Sequence, residues 1–271
     1  MPKVILTDIE GTISSISFVK EVLFPYSKER LEDFILTNYE HSPFLLSIIE
    51  ATLEELKQNK VSGLNYDSNH EDDENAEIGV CEQSHDAIFE TQIYTAIQAL
   101  KIWIQEDKKI TPLKDLQGLI WEEGFRKGLF KAPLYQDAFE FFLSMKGKGL
   151  PIYVYSSGSV QAQKLFFEFS EFGDIRYLFS GFYDTKIGSK KDSESYLKIA
   201  ADIQVSPEHI LFLTDIKDEC KASEEAGLLT IQVARETLED AVNLDNSAPN
   251  SSAIERTRKV INDFSELSEI L

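Results

Sequence analysis

The sequence predicts an α/β protein: a doubly wound, mostly parallel sheet with a block of helices inserted after its first strand. Three observations carry that expectation. Short apolar runs rich in β-branched residues, at 3–7, 152–155, 210–214 and 228–233, read as buried strands. From Leu134 onward such runs alternate with helical stretches, which implies right-handed crossovers and a sheet covered on both faces. Between the first run and the second, from about 17 to 131, the apolar spacing is helical almost throughout.

The first run, Lys3-Val4-Ile5-Leu6-Thr7, ends in Asp8, Glu10, Gly11 and Thr12. In an open parallel sheet, ligands bind outside the carboxyl edge of the strands, so these acids project into that crevice. Alternation along an extended chain lets Asp8 and Glu10 face one site. Two like charges repel and lose solvation there, and a divalent cation with hard oxygen ligands is the usual compensation.

The helical block has several apolar faces. Phe18, Val22 and Leu23 make the first, and Tyr26, Leu31, Phe34 and Ile35 the second. Pro43 marks a helix start before Phe44, Leu45, Ile48, Ile49, Leu53 and Leu56. Residues 60–84 break the pattern with Gly63, Asn65, Asp67 and the run Glu71-Asp72-Asp73-Glu74, and read as a disordered acidic insertion. A calcium loop counted from Asp67 would set Asp72 and Ile78 where a glycine and a carboxylate are needed, so it is excluded, and His70 reads as an exposed bystander. Helical spacing resumes with Ile88, Ile93, Ile97, Leu100 and Ile104, and again after Pro112 with Leu113, Leu116, Leu119, Ile120 and Phe125. Trp103 and Trp121 are assigned to the core of these helices rather than to a substrate pocket. The block is most simply a helical cap over 17–131, with 1–16 and 132–271 forming the catalytic core. Such caps exclude water from a strand-end crevice.

In the core, a helix through Phe139, Phe142 and Met145 ends at Gly147 and Gly149. Strand 152–155 runs into Ser156-Ser157-Gly158-Ser159, and a helix opens at Val160. Tyr177 to Tyr183 holds a short or edge strand, Ser193 to Ile203 a helix, and the tail shows turn signals at Asn246 to Ser252 followed by a final helix.

Composition narrows the function classes. The 271 residues carry 47 acidic and 27 basic side chains, a net charge of −20, with no local basic cluster able to overcome it. Nucleic acid and anionic membrane surfaces are therefore poor partners. No segment reaches bilayer-spanning length, and the amino terminus begins with a strand instead of a cationic and apolar leader. Cys81 and Cys220 form no metal-binding pattern and read as free thiols of a reducing compartment. A cytoplasmic monomer is expected, with entry into the nucleus left open.

Further strand ends line up with Asp8. Ser156 and Ser157 follow a strand and precede a helix, where hydroxyls and unpaired amides suit a phosphate, though an ordinary helix N-cap would use serine too. Lys190 lies in the basic loop Thr185-Lys186-Ile187-Gly188-Ser189-Lys190-Lys191 and could hold a phosphoryl oxygen. Lys186 and Lys191 are its alternatives, and all three could simply be solvated. Asp215 ends an apolar strand as Asp8 does, with helix capping as the competing role. Glu219 could face the same site from the next helical turn, or be a surface acid.

Taken together, Asp8-x-Glu10-Gly11-Thr12, Ser156 and Ser157, Lys190, and Asp215 with Glu219 resemble the four ordered motifs of the haloacid dehalogenase-like phosphatases. The fuller spelling Asp8-Ile9-Glu10-Gly11-Thr12, followed by Ile16 to Tyr26 and by Leu116-Gln117-Gly118 and Trp121, resembles their acireductone synthase branch, the enolase-phosphatases of methionine salvage. Most of the superfamily has a second aspartate where this chain has Glu10. The resemblance implies that Asp8 is the nucleophile, forming an aspartyl-phosphate, and that Asp8, the backbone of Glu10, and Asp215 hold Mg²⁺. The Glu10 side chain would act as general acid and base. Thr12 would hold the loop, and Ser156, Ser157 and Lys190 would bind the substrate phosphate. The implied reaction enolises the small phosphate ester 2,3-diketo-5-methylthiopentyl-1-phosphate and then hydrolyses it to the acireductone. Lys20 and Glu21 are candidates for taking the carbon-bound proton, but each reads more simply as a surface charge on an amphipathic helix. A generic magnesium-dependent phosphatase of the same fold is the alternative, and a catalytically silent scaffold the more remote one.

Overall fold

Four consecutive buried residues, Val4–Thr7, form the first strand, β1, at the centre of the sheet. The computed structural model describes residues 1–59, 85–106, 108, 110–235 and 259–269. The proposed acidic insertion at 60–84, with His70 and Cys81, and the turn signals at 246–252 lie outside the described residues.

The remaining strands are β2 (Ile152–Tyr155), β3 (Gly181–Tyr183), β4 (Ile210–Thr214), β5 (Leu229–Val233) and β6 (Lys259–Ile261). Their order is β3-β2-β1-β4-β5-β6, and every pairing is parallel. The chain builds outward from β1 on one side through β2 and β3, then returns to build β4, β5 and β6 on the other. That reversal opens a crevice at the carboxyl ends of β1 and β4. β1 and β4 are buried at every residue, as expected of central strands covered on both faces.

The helices are α1 (Phe24–Asn38), α2 (Pro43–Asn59), α3 (His85–Gln105), α4 (Thr111–Arg126), α5 (Gln136–Gly147), α6 (Val160–Glu168), α7 (Ser193–Asp202) and α8 (Lys217–Glu225). The stretch Phe18–Leu23 is a wider, π-type helical turn leading into α1. Two compact units result: Met1–Val22 with Gly124–Leu271, and Leu23–Glu123.

Within the first unit, Tyr196 and Ile199 of α7 and Ala222 of α8 pack with Val4, Leu6 and Phe212 of the sheet. Phe142 of α5 meets Phe179 and Phe264 edge to face. In the second unit, Leu31 and Ile35 of α1, Ile48 and Ile49 of α2, Ile97, Leu100 and Trp103 of α3, and Leu116 and Ile120 of α4 form one core. Trp103 is a core residue as expected. Trp121 is half-buried, stacks on Phe24 at 6.2 Å, and donates its indole N–H to the Leu23 carbonyl at 2.8 Å. Phe44, assigned to an apolar face, stands 49% exposed. Lys20 and Glu21 are exposed.

One expectation is corrected. The end of the chain is not a regular helix among the described residues: Lys259–Ile261 pairs in parallel with β5 as the sixth strand, and Phe264–Glu269 is a short 3₁₀ segment. Only Ile261 of that strand is buried, so it carries no alternating pattern for a sequence reading to catch. No helix among the described residues is long and apolar enough to cross a membrane. Cys220 is buried and, among the described residues, forms no disulfide.

Candidate active site

Sheet register brings the strand ends together. Thr7 pairs with Val154 of β2 and Leu213 of β4, and Asp8 extends the ladder by donating its N–H to the Leu213 carbonyl at 2.9 Å. Asp8 therefore emerges beside Tyr155 on one flank and Thr214 on the other, with Ser156 and Asp215 one residue beyond each. The chain after Asp8 turns tightly, because the Ile9 carbonyl accepts N–H bonds from Thr12, Ile13 and Ser14 at 3.3, 3.0 and 3.1 Å. Gly11 has φ +75°, a region open to glycine at little cost, and a Cβ there would collide with the Asp215 carboxylate. The loop backbone thus lies directly against Asp215, whose Oδ1 faces the Thr12 hydroxyl at 3.5 Å.

The Lys190 ammonium lies 2.6 Å from Asp8 Oδ1 and 2.8 Å from Glu219 Oε2, and its side chain is only 5% exposed. Burial works against its charge, but Asp8 and Glu219 outweigh that and raise its pKa above the ordinary lysine value. The loop is fixed behind it: Tyr196 donates its hydroxyl to the Lys190 carbonyl at 2.6 Å, and Tyr155 donates to the Gly188 carbonyl at 3.0 Å. Lys186 and Lys191 are exposed, and Lys191 pairs with Asp218 at 2.8 Å. Of the three candidates, Lys190 is the one brought to Asp8.

Glu219 is buried and not a surface acid. It accepts a hydrogen bond from the Thr214 hydroxyl at 2.7 Å, which holds it toward Lys190. Neither bland role for the other candidates is realised. The residue before α8 is Ile216, so Asp215 does not cap that helix. The cap of α6 is Ser159, whose hydroxyl accepts the Ala162 N–H at 3.2 Å, so Ser156 and Ser157 do not cap it. Ser156 is buried and its Oγ accepts the Gly158 N–H at 3.3 Å, while Ser157 is exposed on the same turn. Glu10 is half-buried, in a bridge to Ser14.

A match to the haloacid dehalogenase-like hydrolase family model spans residues 2–227. The chain is 48% identical over 246 residues to the enolase-phosphatase E1 of Persephonella marina, covering 91% of this chain and 93% of that one. It is likewise 48% identical over 239 residues to the enolase-phosphatase E1 of Aquifex aeolicus, covering 88% and 93%. The chain belongs to the haloacid dehalogenase-like hydrolases, in their enolase-phosphatase branch. The UTR4 protein of Saccharomyces cerevisiae shares the fold, with a TM-score of 0.67 and 26% identity over 97% of this chain and 99% of that one.

In this haloacid dehalogenase-like core, Asp8 and Glu219 share a single ammonium, and Asp215 lies within the field of Asp8. The excess of negative charge shows in their titration. Burial and then the field of Asp8 push Asp215 up to about 6, and the same two causes push Glu219 up to about 7 against the pull of Lys190 and Thr214. Among the described residues no group of three or more His, Cys, Asp or Glu side chains is arranged to hold a metal ion. Two carboxylates and a main-chain carbonyl are a different donor set. Hard oxygens carrying surplus negative charge fit Mg²⁺.

Arg235, which the sequence reading passed over, also reaches this loop. It follows β5 and donates Nε–H to the Thr12 carbonyl at 3.0 Å and Nη1–H to Asp137 at 2.6 Å. Its position just past the end of a strand, the place that flagged Asp8 and Asp215, was the available signal.

Proposed function

We propose that this enolase-phosphatase converts 2,3-diketo-5-methylthiopentyl-1-phosphate to its acireductone and inorganic phosphate, with Asp8 as the attacking carboxylate. The buried ion pair between Lys190 and Asp8, at 2.6 Å beside Asp215, carries the reading. Lys190 holds Oδ1, which leaves Oδ2 to attack phosphorus and form the aspartyl-phosphate. As the ester bond breaks, the ammonium stays within reach of the phosphoryl oxygens and offsets their charge. The Ser156 Oγ accepts the Gly158 N–H, so its own proton is available to a substrate phosphate oxygen, with Ser157 on the same turn. Glu10 is assigned the proton to the departing enol oxygen and the later activation of water.

Asp8, Asp215 and the main-chain carbonyl of Glu10 would hold Mg²⁺, which supplies charge neutralisation at phosphate and polarisation of a carbonyl. The helical unit Leu23–Glu123 is assigned as the family's cap domain. A monomeric, cytoplasmic enzyme with no nucleic-acid or membrane partner fits the acidic surface.

The test follows two signals with purified protein, the diketone phosphate and Mg²⁺: enol absorbance and free phosphate. Enol absorbance preceding phosphate release is expected. Phosphate without a preceding enol signal would assign a generic phosphatase, and neither signal from folded protein would remove the catalytic reading.

A further inference from the structure

We propose that Arg235 is a positioning residue for the nucleophile loop, holding it through the Thr12 carbonyl and relaying to that loop the order of the carboxy-terminal segment through Asp137. The inference rests on the reading of Asp8 as the attacking group.

The geometry joins four segments of the first unit at one guanidinium. Nε donates to Thr12 O at 3.0 Å, and Nη1 to Asp137 Oδ2 at 2.6 Å in the first turn of α5. The same Asp137 oxygen accepts the backbone N–H of Phe264 at 2.7 Å, which ties down the segment after β6. The guanidinium carbon lies 4.4 Å from the Tyr135 ring centre and 5.0 Å from that of Phe264, so aromatic rings hold its orientation. The ion-pair side chains are 11% and 16% exposed, well shielded from solvent screening.

Thr12 is the residue where this matters. Its side chain faces Asp215 at 3.5 Å while its carbonyl faces Arg235, so rotating the peptide that follows Thr12 would break one contact and disturb the other. The next carbonyl, of Ile13, accepts the Tyr135 N–H at 2.9 Å, which pins the same turn a second time from the residue that stacks on Arg235. A guanidinium can donate from Nε and Nη1 in two fixed directions at once, whereas an ammonium cannot reproduce that fork. The loop's placement against Asp215 and Lys190 is thereby held by a residue more than two hundred positions away in the chain.

The experiment compares wild type with Arg235→Met, Arg235→Lys and Asp137→Asn, reading kcat and KM for the diketone phosphate at saturating Mg²⁺. Amide hydrogen exchange over 9–14 in metal-free protein is the second measurement. Misplacement of a catalytic group by an ångström can cost about 100-fold, so Arg235→Met is expected to lower kcat by about 10- to 100-fold. KM should move by less than about threefold, because ground-state binding groups are untouched. Exchange at 9–14 should quicken while that of β4 stays as in wild type. Asp137→Asn should show the same pattern more weakly, with Arg235→Lys between wild type and Arg235→Met.

The proposal is overturned by a kcat within about twofold of wild type in Arg235→Met and Asp137→Asn, or by a loss that falls on KM alone. It is equally overturned if the lost activity matches the fraction of unfolded protein. Should Arg235→Met fail to fold, Arg235→Lys and Asp137→Asn decide by the same criteria. Should wild type itself release no phosphate, the functional reading fails separately, and unchanged exchange at 9–14 would then refute the positioning role on its own.

Discussion

Lys190 and Asp8 form a buried ion pair, Nζ to Oδ1 at 2.6 Å, and the same ammonium serves Glu219 at 2.8 Å. One cation thus stands between two acids, with Asp215 close behind. Lys190→Met should lower phosphate release by about 100- to 1,000-fold, the usual cost of losing one donor aimed at developing charge. It should also destabilise the metal-free fold by about 3–5 kcal/mol, because buried carboxylates lose their counter-charge. Turnover and urea unfolding in chelator measure the two effects separately, and Mg²⁺ should restore part of the stability but little of the rate.

Asp8→Asn keeps the shape of the side chain and removes the carboxylate oxygen to which the proposed mechanism assigns the attack. Phosphate release should be abolished with the melting transition intact. Near-normal release from that variant would place the covalent step on another group.

Gly11→Ala tests how closely the loop must approach Asp215. The residue sits at φ +75°, and an added methyl would meet the carboxylate. Left-handed backbone alone costs a non-glycine residue about 1–3 kcal/mol in such a site. The larger effect should be on magnesium: Asp215 must move to admit the methyl, so the Mg²⁺ concentration for half activation should rise. Titration calorimetry with the metal alone checks this without turnover.

The titration of Asp215 and Glu219 makes metal-free stability depend on pH. Both acids hold their protons more tightly in the folded chain than the ordinary values of 3.8 and 4.5, Asp215 up to about 6 and Glu219 up to about 7. For a raised carboxyl the sign is fixed: the folded chain binds the extra proton, so the contribution is complete below the unfolded pKa and lost as pH rises through the folded one. In chelator, the stability of Asp215→Asn relative to wild type should therefore increase between about pH 4 and 6, since the amide cannot ionise. A difference independent of pH would refute the assigned environment. In Mg²⁺ the ordering at the upper end should invert, because the cation favours the ionised aspartate.

Much of the scaffold was legible. Apolar runs ending in acids located β1 and β4, since a central parallel strand must be apolar on both faces and expose chemistry only at its end. Trp103 was readable as core for the same reason of burial. β6 was not readable: three residues with one buried side chain have no period to detect, and their strand character comes from hydrogen bonds offered by the edge of β5. Glu219 was readable in position but not in burial, because a nine-residue helix with acids in its first turn looks the same whether or not one of them turns inward.

Local pattern and motif order along the chain were enough to tell which residue types end the strands, and with them the class of chemistry. Choosing Lys190 over Lys186 and Lys191, burying Glu219 against it, and bringing Arg235 to Thr12 were decided by tertiary structure alone. These are contacts between segments far apart in the chain, and they exist only once parallel strands have set their register and brought distant loops to one edge.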